Sequence, residues 1–260
     1  SRYLDLRRPA MQKILRTRHD VSMSMRTYLS ERGFLEVETP ILCKSTPEGA
    51  RDFLVPARLH PGEFYALPQS PQIFKQILMI AGLDRYFQIA RCFRDEDPRA
   101  DRQAEFSQLD LEMAFVSRDD ITSLMSGLFR TIWKEVLGVD VGDIPLMSYA
   151  EAMERFGSDR PDTRFGLELQ DISDVAAKTD FRVFTGAIES GGVVKAIRIP
   201  NGATTITRKQ IDGHTEFVKQ FGAGGHAGAK RGGRVDDADL DLELGLLIGA
   251  SLAGGVGAAR

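Results

Sequence analysis

From Glu105 to Phe115 the side chains alternate so regularly that the segment reads as a β-strand with two different faces. Phe106, Gln108, Asp110 and Glu112 share one side, and Leu109, Leu111, Met113 and Phe115 the other. The apolar side needs a cover. The other side offers an aromatic ring among three polar groups, a poor solvent face but a suitable floor for a flat ring bearing charges. Residues 86–94 form a second strand-like run, and the charged stretch 95–104 separates the two. An antiparallel hairpin brings Arg94 and Glu96 beside that floor. The bland alternative is a salt-bridged sheet edge.

The segments before this hairpin punctuate themselves. Pro9 suits a first helical turn, Met11, Ile14, Leu15, Val21, Met25 and Leu29 recur at helical spacing, and Gly33 ends the run. Residues 34–42 predict a strand interrupted by Pro40, which lacks a ladder donor and so belongs at an edge or interface. In the loop 45–52, Pro47 and Gly49 flank Glu48, leaving that carboxylate on a potentially mobile segment or on an ordinary surface turn. Residues 53–56 and 64–67 read as short strands. Ser70 is expected to cap a helix opened by Pro71, with Phe74, Ile77, Leu78 and Ala81 buried and Gly82 as the stop. Gln72 and Lys75 then project from one face at the positive helix end, where an amide and a cation suit a carboxylate. An exposed polar face is the alternative.

Downstream, Ser117 is expected to cap a helix striped by Ile121, Leu124, Met125, Leu128, Ile132 and Val136, with Trp133 structural. A strand near Ile144 and a short helix from about Tyr149 follow. From about Leu167 the texture changes: residues 181–184 and 193–199 look like strands and 208–221 like a helix.

Four stretches carry a resemblance. FRDE, a charged loop and then RQAEFSQLDLEM (residues 93–113), LPQSPQIFKQ (67–76), STPEGARD (45–52) and GSDRPDTRFG (157–166) together resemble the class II aminoacyl-tRNA synthetases, and among them the aspartyl enzymes of bacterial and organellar type. The first is similar to motif 2 of that class; the helix and strand ending in Thr39-Pro40 are similar to motif 1. The resemblance implies an α+β fold, a class II antiparallel sheet flanked by helices, with part of a smaller inserted α+β domain. Residues 1–166 would be the catalytic core, 167–230 the partial insert, and 231–260 a Gly/Ala-rich tail. There Glu243-Leu-Gly and the terminal Gly-Ala-Ala-Arg260 are short matches to the metal-contacting run and to motif 3. The family's N-terminal anticodon-binding barrel and paired-histidine segment have no match.

What the resemblance implies for chemistry is ATP-dependent activation of L-aspartate and transfer to the 3′ end of tRNA(Asp), with tRNA(Asn) an open second acceptor. Arg94 would grip the α-phosphate and the attacking carboxylate as the catalytic group. Glu48, Ser70, Gln72, Lys75, Arg94, Gln108 and Asp110 would bind aspartate. Arg94, Asp95, Glu96, Gln103, Phe106 and Glu112 would bind ATP, with Mg²⁺ on its phosphates. Arg99 and Arg102 would contact tRNA, and Pro40 would lie in a homodimer interface. A synthetase-like fragment that binds without catalysis, an asparagine synthetase on the same fold, and asparaginyl or lysyl relatives are the competing readings. Lys75 and the two loop motifs favour an acidic amino acid.

Composition narrows the setting. No apolar run is long enough to span a bilayer, and the opening SRYLDLRRP is charged without the apolar core of a signal peptide. Two cysteines make a disulfide framework an unlikely scaffold and fit a reducing compartment, the bacterial cytoplasm before the mitochondrion. A net charge of −3 supplies no global basic field, so nucleic acid would have to use local patches. A metal site is not readable: His19, His60, His214 and His226 stand apart.

Overall fold

The central hairpin forms as the alternation requires. A computed structural model describes residues 2–46, 48–180 and 182–219 and the short strands Ala227–Gly228 and Leu246–Ile248. The chain divides into two units, Ser1–Ile144 and Pro145–Arg260, so the division precedes the change of texture at 167. The first unit runs α1 (Arg2–Asp5), α2 (Pro9–Ser30), β1 (Leu35–Glu36), β2 (Leu54–Pro56), β3 (Phe64–Ala66), α3 (Gln72–Ile80), β4 (Arg85–Phe93), β5 (Glu105–Met113) and α4 (Arg118–Leu137).

Strands β4 and β5 pair antiparallel with Gln88 opposite Asp110 and Cys92 opposite Phe106. Because facing residues share a side, Phe87, Leu109, Leu111 and Met113 turn together toward helices α2 and α4. There Tyr28, Leu29, Phe34, Phe87 and Leu128 form the core, with Met25, Leu124, Met125 and Ile132 packed around them. Helix α4 begins in a capping box, Ser117 with Asp120, and stops at Gly138 in the left-handed conformation. The opposite face of the hairpin stays free for polar groups.

Several local expectations need correction. The strand expected over 34–42 is only Leu35–Glu36, parallel to β4 at Tyr86–Phe87; beyond it Thr39 turns its hydroxyl to Gln88 (2.9 Å) and Pro40 is exposed. Ile14 and Leu15 are exposed, because the buried positions of α2, Ser24, Tyr28 and Leu29, all fall in its second half. Phe115 does not continue the β5 alternation: the strand ends at Met113 and Phe115 adopts φ 56° with its ring in solvent. Trp133 is nearly half exposed. In α3, Ser70 is no cap; Pro71 takes that place without a side-chain hydrogen bond, and none of its residues is fully buried, Ile77 and Ile80 being exposed.

The second unit holds α5 (Tyr149–Phe156), β6 (Leu169–Asp171), α6 (Ser173–Ala176), α7 (Arg182–Glu189), β7 (Lys195–Ile197), α8 (Gly202–Thr205), α9 (Arg208–Lys219), β8 (Ala227–Gly228) and β9 (Leu246–Ile248). Its strands lie in the order β6-β7-β9-β8, all antiparallel. No strand forms at Ile144. Residues 182–184 are helical, not extended, because Phe184, Ala187 and Ile188 give the helical spacing of a half-buried face that outweighs local β-propensity. Glu243 and Arg260 lie outside the described residues.

Where α2 crosses α4, a Cβ on Gly127 would sit 2.2 Å from the Tyr28 hydroxyl, which donates to the Leu124 carbonyl. Gly127→Ala should therefore cost about 1–3 kcal/mol in urea unfolding. Tyr28→Phe in the same chain should return part of that loss; a cycle without coupling would contradict this packing.

Candidate active site

Lysine 75 is where the elements of the first unit converge. It enters from the second turn of α3 and places its ammonium 2.9 Å from Asp110 and 3.2 Å from Glu112 on β5. Lys75 and Asp110 are each nearly buried, while Glu112 keeps more solvent. Burial alone would lower the lysine pKa. The hydrogen bonds and charges of Asp110 and then Glu112 outweigh it, so the pKa is raised and the ammonium persists across neutral pH. The second oxygen of Asp110 is buried and accepts no well-aligned hydrogen bond among the described residues, although the Tyr86 phenol lies close enough to couple to that carboxylate. A buried acceptor of that kind calls for a donor or a cation.

Beneath the floor, Tyr86 is fully buried and donates to Gln88 Oε1 at 2.9 Å. Burial first, and then the charge of Asp110, pushes its phenol well up. Gln108 accepts from Cys92 Sγ at 3.1 Å. Gln72 stands on the first turn of α3, one turn from Lys75.

The Glu48 loop is tied to the residues that lead into α3. Ser70 donates to Glu48 Oε2 at 2.9 Å and Thr46 to Oε1 at 3.0 Å. A cavity of ≈ 360 Å³ opens there, lined among others by Cys43, Glu48, Asp52, Ser70 and Phe74. Gln69, buried at 2 % exposure, bonds the backbone of Ala50.

A second cavity of ≈ 580 Å³ is lined by Arg94, Glu96, Arg99, Arg102, Gln103 and Phe106 together with residues 100–101. The Arg94 guanidinium lies 5.1 Å from the Phe106 ring centre, with Nε 3.4 Å from the Gln69 carbonyl. Arg102 pairs with Glu96 at 3.1 Å, and Arg99 and Arg102 exchange backbone hydrogen bonds across the loop tip. Asp95 is the exception: its N–H donates to the Arg51 carbonyl and its carboxylate lies 3.9 Å from Arg51, outside the cavity lining. Pro40 lines neither cavity. Among the described residues no cluster of three or more metal-ligating side chains occurs.

Sequence reasoning passed over Gln69 and Tyr86. Tyr86 becomes readable once the β4–β5 register is known, because it then faces Glu112. Gln69 had only its place in LPQSPQ as a signal.

The profile of the tRNA synthetases class II (D, K and N) matches residues 1–235. The chain belongs to that family. Relatives include an aspartate–tRNA(Asp/Asn) ligase of Anoxybacillus flavithermus, 58% identical over 230 residues, covering 88% of this chain and 39% of the relative. An aspartate–tRNA(Asp/Asn) ligase of Halothermothrix orenii is 58% identical over 227 residues, covering 87% and 38%. This chain thus spans about two fifths of the length of the curated relatives it matches. A solved asparaginyl-tRNA synthetase of Pyrococcus horikoshii, complexed with asparaginyl-adenylate, is 28% identical over 54% of this chain and 32% of its own, at a TM-score of 0.48. No described helix is long and apolar enough to cross a membrane.

The two thiols differ in this site. Burial first holds the Cys92 pKa up at about 11, with Arg94 opposing and Asp110 and Glu48 adding to it. Cys43 is raised as well, by burial and then by Asp52 and Glu48, but is only partly buried. At pH 8 about one Cys92 thiol in 10³ is ionised, so iodoacetamide should label Cys43 first and Cys92 only as pH climbs toward 11. Mass spectrometry of the labelled chain checks this; equal labelling at pH 8 would contradict it.

Proposed function

We propose that this chain carries the amino-acid and ATP face of an aspartate-activating synthetase site. The observation that carries the proposal is the nearly buried Lys75 ammonium, held by Asp110 and Glu112 on the same face of β5 that carries Phe106 under Arg94. An L-aspartate entering there brings two carboxylates and an ammonium. Its side-chain carboxylate pairs with Lys75 beside Gln72 and Ser70, and its ammonium meets the second oxygen of Asp110, with Gln108 and Glu48 completing the shell. Asparagine presents an uncharged amide, whose N–H donors face the lysine donors. That mismatch in a water-poor site is where discrimination arises.

Activation needs position and charge rather than a covalent nucleophile on the protein. The α-carboxylate oxygen attacks the α-phosphorus of ATP, a P–O bond forms, and the bond to the bridging oxygen of pyrophosphate breaks. Arg94 suits the role of catalytic residue, because a planar guanidinium can hold the carboxylate and the α-phosphate together. Phe106 offers a stacking face for adenine, and Glu96, Gln103 and Glu112 surround the nucleotide. Asp95 faces Arg51, so its place is in shaping the loop. Mg²⁺ enters with ATP as part of the substrate, where few protein ligands are needed. In the second step the terminal ribose hydroxyl of tRNA attacks the aspartyl carbonyl and AMP leaves. Arg99 and Arg102 on the loop tip are the candidate contacts to that acceptor end. The names of the relatives, aspartate–tRNA(Asp/Asn) ligases, support tRNA(Asp) and tRNA(Asn) as the acceptors.

The exposed Ile41 and Leu42 beside Pro40 in the chain, with exposed Ile14, Leu15 and Leu35 on the motif 1 helix and strand, support a homodimer through those elements. The bacterial sources of the relatives support the cytoplasm as its location.

Aspartate-dependent ATP–pyrophosphate exchange tests the proposal. Arg94→Ala should lower exchange by about 10²–10³-fold, and Lys75→Ala should abolish the preference for aspartate over asparagine. Exchange that ignores both substitutions would overturn the site assignment. A folded chain that binds aspartate without exchange would be a binding module.

A further inference from the structure

We propose that Gln69 is a positioning residue that latches the Glu48 loop and braces Arg94, so that one residue sets both halves of the site. The proposal rests on the reading of that site given above. The side chain is 2 % exposed, and its carboxamide does what a neighbouring strand would do. Oε1 accepts the Ala50 N–H at 3.2 Å and Nε2 donates to the Ala50 carbonyl at 2.8 Å. The same Nε2 donates to Asp52 Oδ1, and Asp52 Oδ2 accepts from Ser45 at the start of the loop. The base of the loop is thereby closed, and its apex is held by the next residue, Ser70, through Glu48. On the other side the Gln69 carbonyl accepts from Arg94 Nε, and the Pro68 carbonyl accepts the Phe93 N–H at 2.9 Å.

Chemistry selects the residue type. Asparagine is one methylene short of a pair of bonds to Ala50. Glutamate has the length but cannot donate, and would bring a second negative charge against Asp52. Leucine fills the space and makes no hydrogen bond. With the latch open, Glu48 is left on the Ser70 and Thr46 bonds alone, so the lid should close less often and aspartate should be held less well. Arg94 keeps its backbone anchor, so the chemical step should suffer less.

Gln69→Leu, Gln69→Glu and the swap Gln69→Glu with Asp52→Asn test this in the full chain. In the swap the amide at 52 donates to the carboxylate at 69, which restores the link to Asp52's position. Amide hydrogen exchange should be faster at Ala50 by about tenfold in Gln69→Leu and by less in Gln69→Glu, whose carboxylate still accepts the Ala50 N–H, while the β4–β5 amides stay protected. The KM for aspartate in pyrophosphate exchange should rise by about tenfold with a smaller fall in kcat, and the swap should recover part of both effects. Unchanged loop amides, or loosened amides with an unchanged KM, would overturn the proposal. If the unaltered chain gives no aspartate-dependent exchange, the reading of its activity fails separately. The loop amides still decide the latch, and equal protection in all variants overturns it.

Discussion

Everything in the first unit depends on the register of one antiparallel ladder. With Gln88 opposite Asp110, every second residue of β4 and β5 faces α2 and α4, and the intervening ones face the site. A slip of one residue would put Asp110 and Glu112 into the core and Leu109 and Leu111 into the site. The core therefore enforces the site: the apolar contacts of Phe87, Leu109 and Leu128 fix where the polar face stands.

On that face the electrostatics are deliberately incomplete. Lys75 has two carboxylates, yet one oxygen of Asp110 accepts no well-aligned hydrogen bond among the described residues. A buried ion pair with a spare acceptor is weak ground for stability. It is good ground for receiving a zwitterion, because the incoming ammonium and carboxylate fill roles the protein leaves open. The Arg94 side differs: its guanidinium lies near an aromatic face, and the loop beyond it closes on itself through Arg99, Arg102 and Glu96.

Much of this was legible in the residues. The β5 alternation, the Ser117 cap, the loop around Glu48 and the spacing of Lys75 all follow from local periodicity and turn chemistry. What was hidden depends on tertiary partners. Ser70 looks like a cap in sequence, but Glu48, far away in the chain, takes its hydroxyl. Residues 182–184 have β-branched and aromatic character, yet a half-buried helical face decides their conformation. Helical spacing alone puts Ile77 inside, yet it is exposed, because burial is set by which neighbours arrive. Gln69 carries no periodicity or turn chemistry, only its place in LPQSPQ; the passage of residues 50–52 beside it gives it a role. The family's motif order supplied functional roles that spacing alone did not.

The central claim is that the buried Lys75 charge reads the charge of the substrate side chain. Calorimetric titration of the chain with L-aspartate and with L-asparagine tests it most directly, since neither ATP nor tRNA is needed. The account predicts aspartate binding tighter by roughly 100-fold or more, about 3 kcal/mol. Equal affinity for the two amino acids would contradict it.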